Sequence, residues 1–494
     1  MRVIGPAAAF LAITTLFAGC SFAPKYQKPA VMTPPAFKEM TPAEAKETDG
    51  WKTAQPTDYA RRGKWWEVFQ LPELNALEDQ ITVTNNQTLA AALQNFFIAR
   101  DLTRETRSGY FPTVSADPSA TVSRSNFRAP STVGGLGFGG AGAVSTIYNY
   151  TLPVDATWEP DLWGSVRNAV KANDLSAQAT LGDLENTRLT VQGELAVDYF
   201  EVRELDSQKQ LLDATSAAYR DSLNLTRVLH KTGIASDQDV AQAETQLNTT
   251  LAQSTDLGIQ RAQLEHAIAA LLGKPASNFS LGTNAMTGKP VAIPFGVPSQ
   301  LLERRPDVAA AERRVAEANA EIGVARAAFF PTITLSGDLG LEGERVGNLS
   351  SGPAFLWSLG AAATETLFDA GKRQAVTDQA WDTYRLQVAN YRQTVLTAMQ
   401  NVEDNLAALR ILSQELKQQA DAVASSQRYL NLARDRYRLG IDSYLNVITA
   451  QTTLLGNQRA ELNLQVEQLT DSVQLIESIG GGWDGTLSAA TAQR

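Results

Sequence analysis

The chain has 494 residues, a net charge of −10 and 19% charged residues. An acidic balance excludes general affinity for nucleic-acid phosphates, which requires basic excess. A single cysteine, Cys20, excludes a disulfide framework, and two histidines, His230 and His266, leave little for clustered metal or acid–base chemistry. No catalytic constellation stands out, so no enzyme activity, cofactor or metal is expected.

The N-terminus reads as a targeting segment. Arg2 precedes an apolar run, Val3 to Phe17, that is too short to span a bilayer. It closes on Leu16-Phe17-Ala18-Gly19-Cys20, which resembles a bacterial lipobox, with Phe17 where leucine is commoner. The resemblance implies cleavage after residue 19 and acylation of Cys20, palmitate included; Ser21 next to it favours sorting to the outer membrane. Residues 1–19 are thus expected to be a signal peptide and 20–64, rich in Pro, Lys, Glu and Thr, a lipid-anchored linker. No later stretch approaches about 18 uninterrupted apolar residues, so any membrane crossing falls to strands.

The remainder is an internal duplication. Gly109-Tyr110-Phe111-Pro112-Thr113-Val114 is echoed by Ala328-Phe329-Phe330-Pro331-Thr332-Ile333, Asp161-Leu162-Trp163-Gly164 by Phe368-Asp369-Ala370-Gly371, and Thr232-Gly233-Ile234 by Leu439-Gly440-Ile441. The first repeat is expected over 65–275 and the second over 299–480. A linker at 276–298 and a tail at 481–494 complete the chain.

Each copy reads helix, strand, loop, strand, long helix, tight turn, helix. The first helix of copy one is expected from Pro72 to Gly109, stopped before Pro112. Strands are expected near 112–126, 145–162, 331–344 and 354–369. Val114, Val122, Leu152 and Val154 alternate with Thr113, Thr121, Thr151 and Asp155, and Leu335 and Leu359 repeat the parity in copy two. One apolar and one polar face suit a membrane barrel, though a half-buried soluble sheet alternates likewise. Four strands are too few to close a barrel, and three copies would supply 12.

Proline-free runs from Ser165 to Thr232 and from Lys372 to Leu439 predict two helices of about 100 Å each. The last helix shows a heptad-like seam: Leu445, Ile448, Thr452, Leu455, Arg459, Leu462, Val466, Leu469, Val473 and Ile476. Gly233 and Gly440 mark the hairpin turns.

These features resemble the outer-membrane factors of the TolC superfamily, in the OprM/NodT lipoprotein branch. The residues carrying the likeness are Leu301-Leu302-Glu303-Arg304-Arg305-Pro306-Asp307-Val308, Glu312, Ala327-Ala328-Phe329-Phe330-Pro331, Trp65-Trp66 with Phe69, the two glycine turns and Gly480-Gly481-Gly482-Trp483. The resemblance implies a membrane β-barrel plus a long α-helical barrel. Three chains would share a 12-stranded barrel in the outer membrane and a 12-helix periplasmic tunnel. It implies as partners a periplasmic adaptor (membrane-fusion) protein and an inner-membrane transporter of the RND type.

The implied function is the exit duct of a tripartite efflux system, passively conducting drugs and toxic small molecules. Protein or peptide secretion, or a non-conducting envelope lipoprotein, are the alternatives. The family closes the tunnel end at the turns. By that resemblance Asp237, Asp239, Tyr437, Arg438 and Asp442 are candidate gate residues, with Arg438 pairing to a neighbouring chain. Asn446 and Thr449 stand where some members carry aspartate, which leaves an apolar constriction at Leu439 or Leu445 as the alternative. Solvated tip charges are the bland reading.

Three motifs count for less. Gly135-Leu136-Gly137-Phe138-Gly139-Gly140 fits a dinucleotide fingerprint, but a strand-like segment follows where a helix is needed, so a surface loop is expected. Arg304-Arg305-Pro306-Asp307 reads as a helix opening. Trp158, Trp163 and Trp357 are candidates for membrane interfaces, with helix packing the alternative for Trp163.

Overall fold

A computed structural model describes residues 22–32, 34, 37–39, 64–127, 132–133, 136–137, 143–287, 305–350 and 352–481. Cys20, Ser21, Arg304, most of the glycine-rich loop and Trp483 lie outside them.

The described elements, in chain order, are helices α1 (Pro72–Glu78) and α2 (Gln87–Ser108), strands β1 (Thr113–Ala116), β2 (Ser119–Phe127), β3 (Thr132–Val133), β4 (Leu136–Gly137) and β5 (Ala143–Trp158), helices α3 (Ser165–Lys231), α4 (Asp237–Leu271) and α5 (Pro306–Ala327), strands β6 (Thr332–Gly343) and β7 (Phe355–Thr364), and helices α6 (Lys372–Arg438) and α7 (Tyr444–Ser478). The duplication is numerical. α2 and α5 have 22 residues each, α3 and α6 have 67, and α4 and α7 have 35. At about 1.5 Å per residue the long pair run about 100 Å each.

The chain forms two compact units that cut across the duplication. One draws on Ala99–Ser176 and Val315–Gln387 with the described residues up to Gln27; the other draws on Lys28–Ile98, Ala177–Arg314 and the chain from Val388. Among the described residues no helix is long and apolar enough to cross a membrane.

In the first unit β1 and β2 pair with successive parts of β5, β5 with β6, and β6 with β7, all antiparallel. The parity expected for the strands is present. Val154 faces Leu339, which faces Trp357, while the alternate row sets Asp155 against Asp338 and Asp338 against Ser358. In the single chain the apolar row is open, with Trp357 67% and Leu359 81% exposed. The first strand is broken rather than continuous. Pro118 has no N–H for the ladder, and the break falls opposite Pro153 of β5, the same deficit on the facing strand. β5 also stops at Trp158, short of the expected 162, because Pro160 follows.

Each strand-to-helix corner is closed by one aspartate. Asp161 accepts from the N–H groups of Val166 and Arg167 and pairs with the Arg167 guanidinium at 2.9 Å. Asp369 accepts from Gly371 and Arg373 N–H and pairs with Arg373 at 2.7 Å. Such a carboxylate satisfies orphan donors and favours the positive end of the helix dipole.

In the second unit the main core gathers Trp65, Trp66, Phe69, Leu74, Leu184, Leu195, Phe200, Ile268 and Leu469. Beside it Arg203 bridges Glu73 and Asp206, and Arg261 bridges Asp206 and Glu265. Arg203 and Arg261 also donate to the carbonyls of Gly282 and Leu281, tying the chain after α4 to the helices.

Three expectations need correction. The helix expected from Pro72 to Gly109 is two helices. The β-branched run Ile81-Thr82-Val83-Thr84 disfavours helix, and Asn86 restarts it by accepting Leu89 N–H at 2.9 Å. The segment read as a linker is docked at some of its described residues: Phe37 is buried against Val402, Leu406 and Leu475, and Glu403 accepts from Lys38 and Glu39 N–H. On α7 the heptad seam holds at Val466, Leu469, Val473 and Ile476, but nearer the turn the buried stripe is Tyr444, Val447, Ala450 and Leu454, with Leu445 56% exposed. A straight helix drifts about 20° per heptad from a 3.5-residue repeat, enough to swing the seam onto a new face.

Burial in the second unit lifts the carboxyls of Asp198 and Glu477 to about 7, helped by Glu194 beside both and, for Asp198, by Glu201; Arg305 opposes the rise at Glu477. Unfolded, they ionise near 3.8 and 4.5. The folded state therefore binds more protons than the unfolded state between those limits, and stability falls as pH rises from about 4 to about 7. Asp198→Asn and Glu477→Gln are expected to raise the melting temperature of the detergent-solubilised protein more at pH 8 than at pH 5. Equal shifts at both pH values would contradict the assignment.

Candidate functional site at the helical hairpin turns

The two hairpins turn by the same device. After α3, Gly233 adopts φ +77°, and Ile234 N–H reaches back to Leu229 O at 2.9 Å. After α6, Gly440 adopts φ +67°, and Ile441 N–H reaches Arg436 O at 3.0 Å. This is the Schellman closure, and glycine enters the left-handed region without a Cβ penalty.

The hairpins pack on each other through Tyr219, Leu223, Ala243, Leu247, Leu430, Tyr437, Tyr444 and Val447. The rings of Tyr437 and Tyr444 lie 5.2 Å apart. Their hydroxyls donate to Thr226 and Ser222 of α3, each at 3.4 Å. Burial raises both phenol pKa values, so both stay protonated donors at neutral pH.

The turn charges divide differently from the sequence expectation. Asp239 closes a capping box: it accepts from Ser236 N–H, while Ser236 Oγ accepts from Asp239 N–H. Asp237 is exposed in the first turn of α4. Asp442 is held by Arg436 at 3.1 Å, by Ser443 N–H and by the Asn446 amide, which keep its carboxyl below the usual range. Arg438 faces Asp435 of its own helix at 3.8 Å, with both side chains well exposed. Within the chain Tyr437 is buried and faces α3. Thr449 bonds back to Leu445 O. Leu439, Ile441 and Leu445 stay 72%, 62% and 56% exposed. The second turn thus combines a charged latch with an open apolar rim. Arg436, Tyr444 and Thr226 were not singled out from sequence. A basic residue six positions before Asp442, across a glycine turn, is the signal by which Arg436 was open to being found.

Other flagged residues have partners within the chain. Arg305 bonds Asp307 at 2.7 Å and caps α7 by donating to Ser478 O at 2.8 Å. Trp158 donates to Tyr110 O, and Trp163 donates to Pro331 O while stacking on Phe330. No metal-holding group of His, Cys, Asp or Glu occurs among the described residues.

The family model for outer membrane efflux proteins matches residues 80–274 and 297–481, the two copies in turn. The chain belongs to the outer membrane efflux protein family. The toluene efflux pump outer membrane protein TtgC of Pseudomonas putida is 33% identical over 483 residues, covering 96% of this chain and 95% of that relative. The antibiotic efflux pump outer membrane protein ArpC of Pseudomonas putida is equally similar, at 33% over 483 residues, with the same coverage. Among solved structures, the outer-membrane channel OprN superposes with a TM-score of 0.82 at 27% identity, over 94% of this chain and 100% of that chain. This efflux protein is accordingly an outer-membrane exit duct that extends into the periplasm, and the TolC-like fold expected for it is borne out.

If the Arg436–Asp442 latch holds the turn, Arg436→Ala and Asp442→Ala each raise single-channel conductance. The double variant adds little, since both changes remove one contact. Arg438→Ala is expected to do less. Conductance unchanged in all three Arg436 and Asp442 variants would place the restriction at the apolar rim, which Leu439→Ser and Leu445→Ser then report.

Proposed function

We propose that three copies of this chain assemble one conduit in the outer membrane and periplasm. In it a shared 12-stranded barrel continues a 12-helix tunnel, and small molecules pass without any bond being made or broken. The single observation that carries this reading is the open sheet. Its outer edges, β1/β2 and β7, have no strand partner within the described chain, and lipid offers no hydrogen bonds to such edges. A second face needing cover supports it: α6 leaves Leu396, Ile411 and Leu432 54%, 52% and 58% exposed.

The cargo class follows the names of the relatives, apolar solvents and antibiotics. Energy comes from an inner-membrane RND-type transporter coupled through a periplasmic adaptor protein. The turns at Gly233 and Gly440 form the resting closure, with Asp237, Asp239, Tyr437, Arg438 and Asp442 around it. Cys20 carries the acyl anchor.

The strand parity provides the test. Arginine at Leu152, on the lipid face inside the sheet, is expected to cost about 2–4 kcal/mol, and at Leu335, nearer the strand roots, about 0–1 kcal/mol. Assembly in the outer membrane falls accordingly, while Thr151→Arg or Thr334→Arg, facing the lumen, leaves assembly intact and alters conductance. Equal losses on both faces would contradict the barrel. Cys20→Ser with the signal retained is expected to abolish palmitate labelling and to preserve conductance in planar bilayers.

A further inference from the structure

The described chain opens two residues after Cys20, and it opens in a built socket. The Phe22 ring stacks on Phe330 at 4.2 Å and 11°, and Trp163 stacks on Phe330 at 5.0 Å and 23°. Trp163 is itself fixed by its bond to Pro331 O at 2.6 Å. Arg326 Nη1 donates to Phe22 O at 3.3 Å, and Asn319 Nδ2 donates to Pro24 O at 2.9 Å. Gly323 of α5 completes the socket, since a Cβ there would stand 2.8 Å from the Ala23 Cβ.

The socket lies at one end of the sheet. The antiparallel register brings together the start of β1, the end of β5, the start of β6 and the end of β7, through Thr113 opposite Thr157, Trp158 opposite Leu335, and Thr332 opposite Thr364. Just beyond these strand ends, Phe111, Leu367 and Phe368 are 70%, 91% and 85% exposed. Exposed apolar side chains in such a row, with Trp158 at the end of β5, suit the boundary between lipid headgroups and acyl chains. Two residues of extended chain reach at most about 7 Å, which bounds the distance from a seated Phe22 to any group carried two residues before it.

We propose that Phe22, clamped between its backbone bonds and the Phe330–Trp163 stack, is a positioning residue for the lipid anchor. It makes the acyl chains of Cys20 enter the periplasmic leaflet at the same level as the strand roots. The anchor then acts as a depth stop for the sheet rather than as a loose tether. The partner surface is the phospholipid leaflet, and the inference rests on the reading of Cys20 as the acylated residue.

The test uses the full-length protein in phosphatidylethanolamine–phosphatidylglycerol vesicles. Acylated Cys20 offers no thiol, so a single added cysteine is labelled uniquely. A spin label at Lys25→Cys is expected to be immobilised in the parent, to lose that immobilised component with Phe22→Ala, and to regain it with Phe22→Trp. A fluorophore at Phe368→Cys is expected to be quenched more by lipids carrying a nitroxide near the headgroup than by lipids carrying it at the chain end. That depth profile broadens with Phe22→Ala and is restored with Phe22→Trp. An immobilised label at residue 25 despite Phe22→Ala, or an unchanged depth profile at 368, overturns the clamp. Palmitate incorporation is read on every sample. Its absence from the parent overturns the Cys20 reading, while the spin-label result still decides whether Phe22 holds the arm.

Discussion

Hydrocarbon offers no hydrogen-bond partner to a peptide group, and everything distinctive about this chain answers to that constraint. A spanning segment has to satisfy its backbone internally, as a helix, or laterally, as a closed sheet. Among the described residues no helix is long and apolar enough to span. The main sheet of the described chain runs from β1/β2 to β7. A sheet so narrow leaves two raw edges and an uncovered apolar face, with Trp357 and Leu359 open. In the proposed assembly each edge pairs with another copy, so association and insertion go together.

The same chain has to carry its sheet on long helices, which explains the compact units. Their boundaries fall at corresponding points of the two copies, each of which contributes strands to one unit and hairpin to the other. The joints are economical: Asp161 and Asp369 each cap a helix and hold an arginine at a strand-to-helix corner. At the far turns the two copies diverge. In copy one the acidic side chain Asp239 is absorbed by its own capping box. In copy two Asp442 crosses the turn to Arg436, and two buried tyrosines pin the hairpin to α3. A duplicated scaffold thus retains one plain turn and one elaborated turn, and the elaborated one has the chemistry expected of a releasable contact.

Much of this was legible in the residues because it is set by local rules. The ends of the long helices follow from glycine turns and proline-free runs, and they fall within a residue of expectation at Lys231 and Arg438. Strand parity follows from alternation. What was not legible depends on tertiary partners. The break between α1 and α2 rests partly on local signals, the β-branched run and the Asn86 cap, and partly on the Asn86 bond to Leu271 O of α4. The buried stripe of α7 drifts off the heptad seam toward the turn, where it packs against Tyr219 and Leu223 of α3 and Ala243 and Leu247 of α4. Arg438, the arginine named as a gate candidate, faces Asp435, while Arg436 reaches Asp442 across the turn. The docking of residues 22–24 and 37–39 leaves no periodic signal at all, because the arm is extended and its contacts come from distant helices.

The most direct test of the central constraint is the mass of the particle extracted from the outer membrane, measured by native mass spectrometry from mild detergent. The account predicts one folded species containing three chains, with dissociation and loss of the sheet's β signal occurring in a single step. A stable single-chain particle that retains its strand content and remains embedded in lipid would contradict it, because the two open edges would then be tolerated in hydrocarbon.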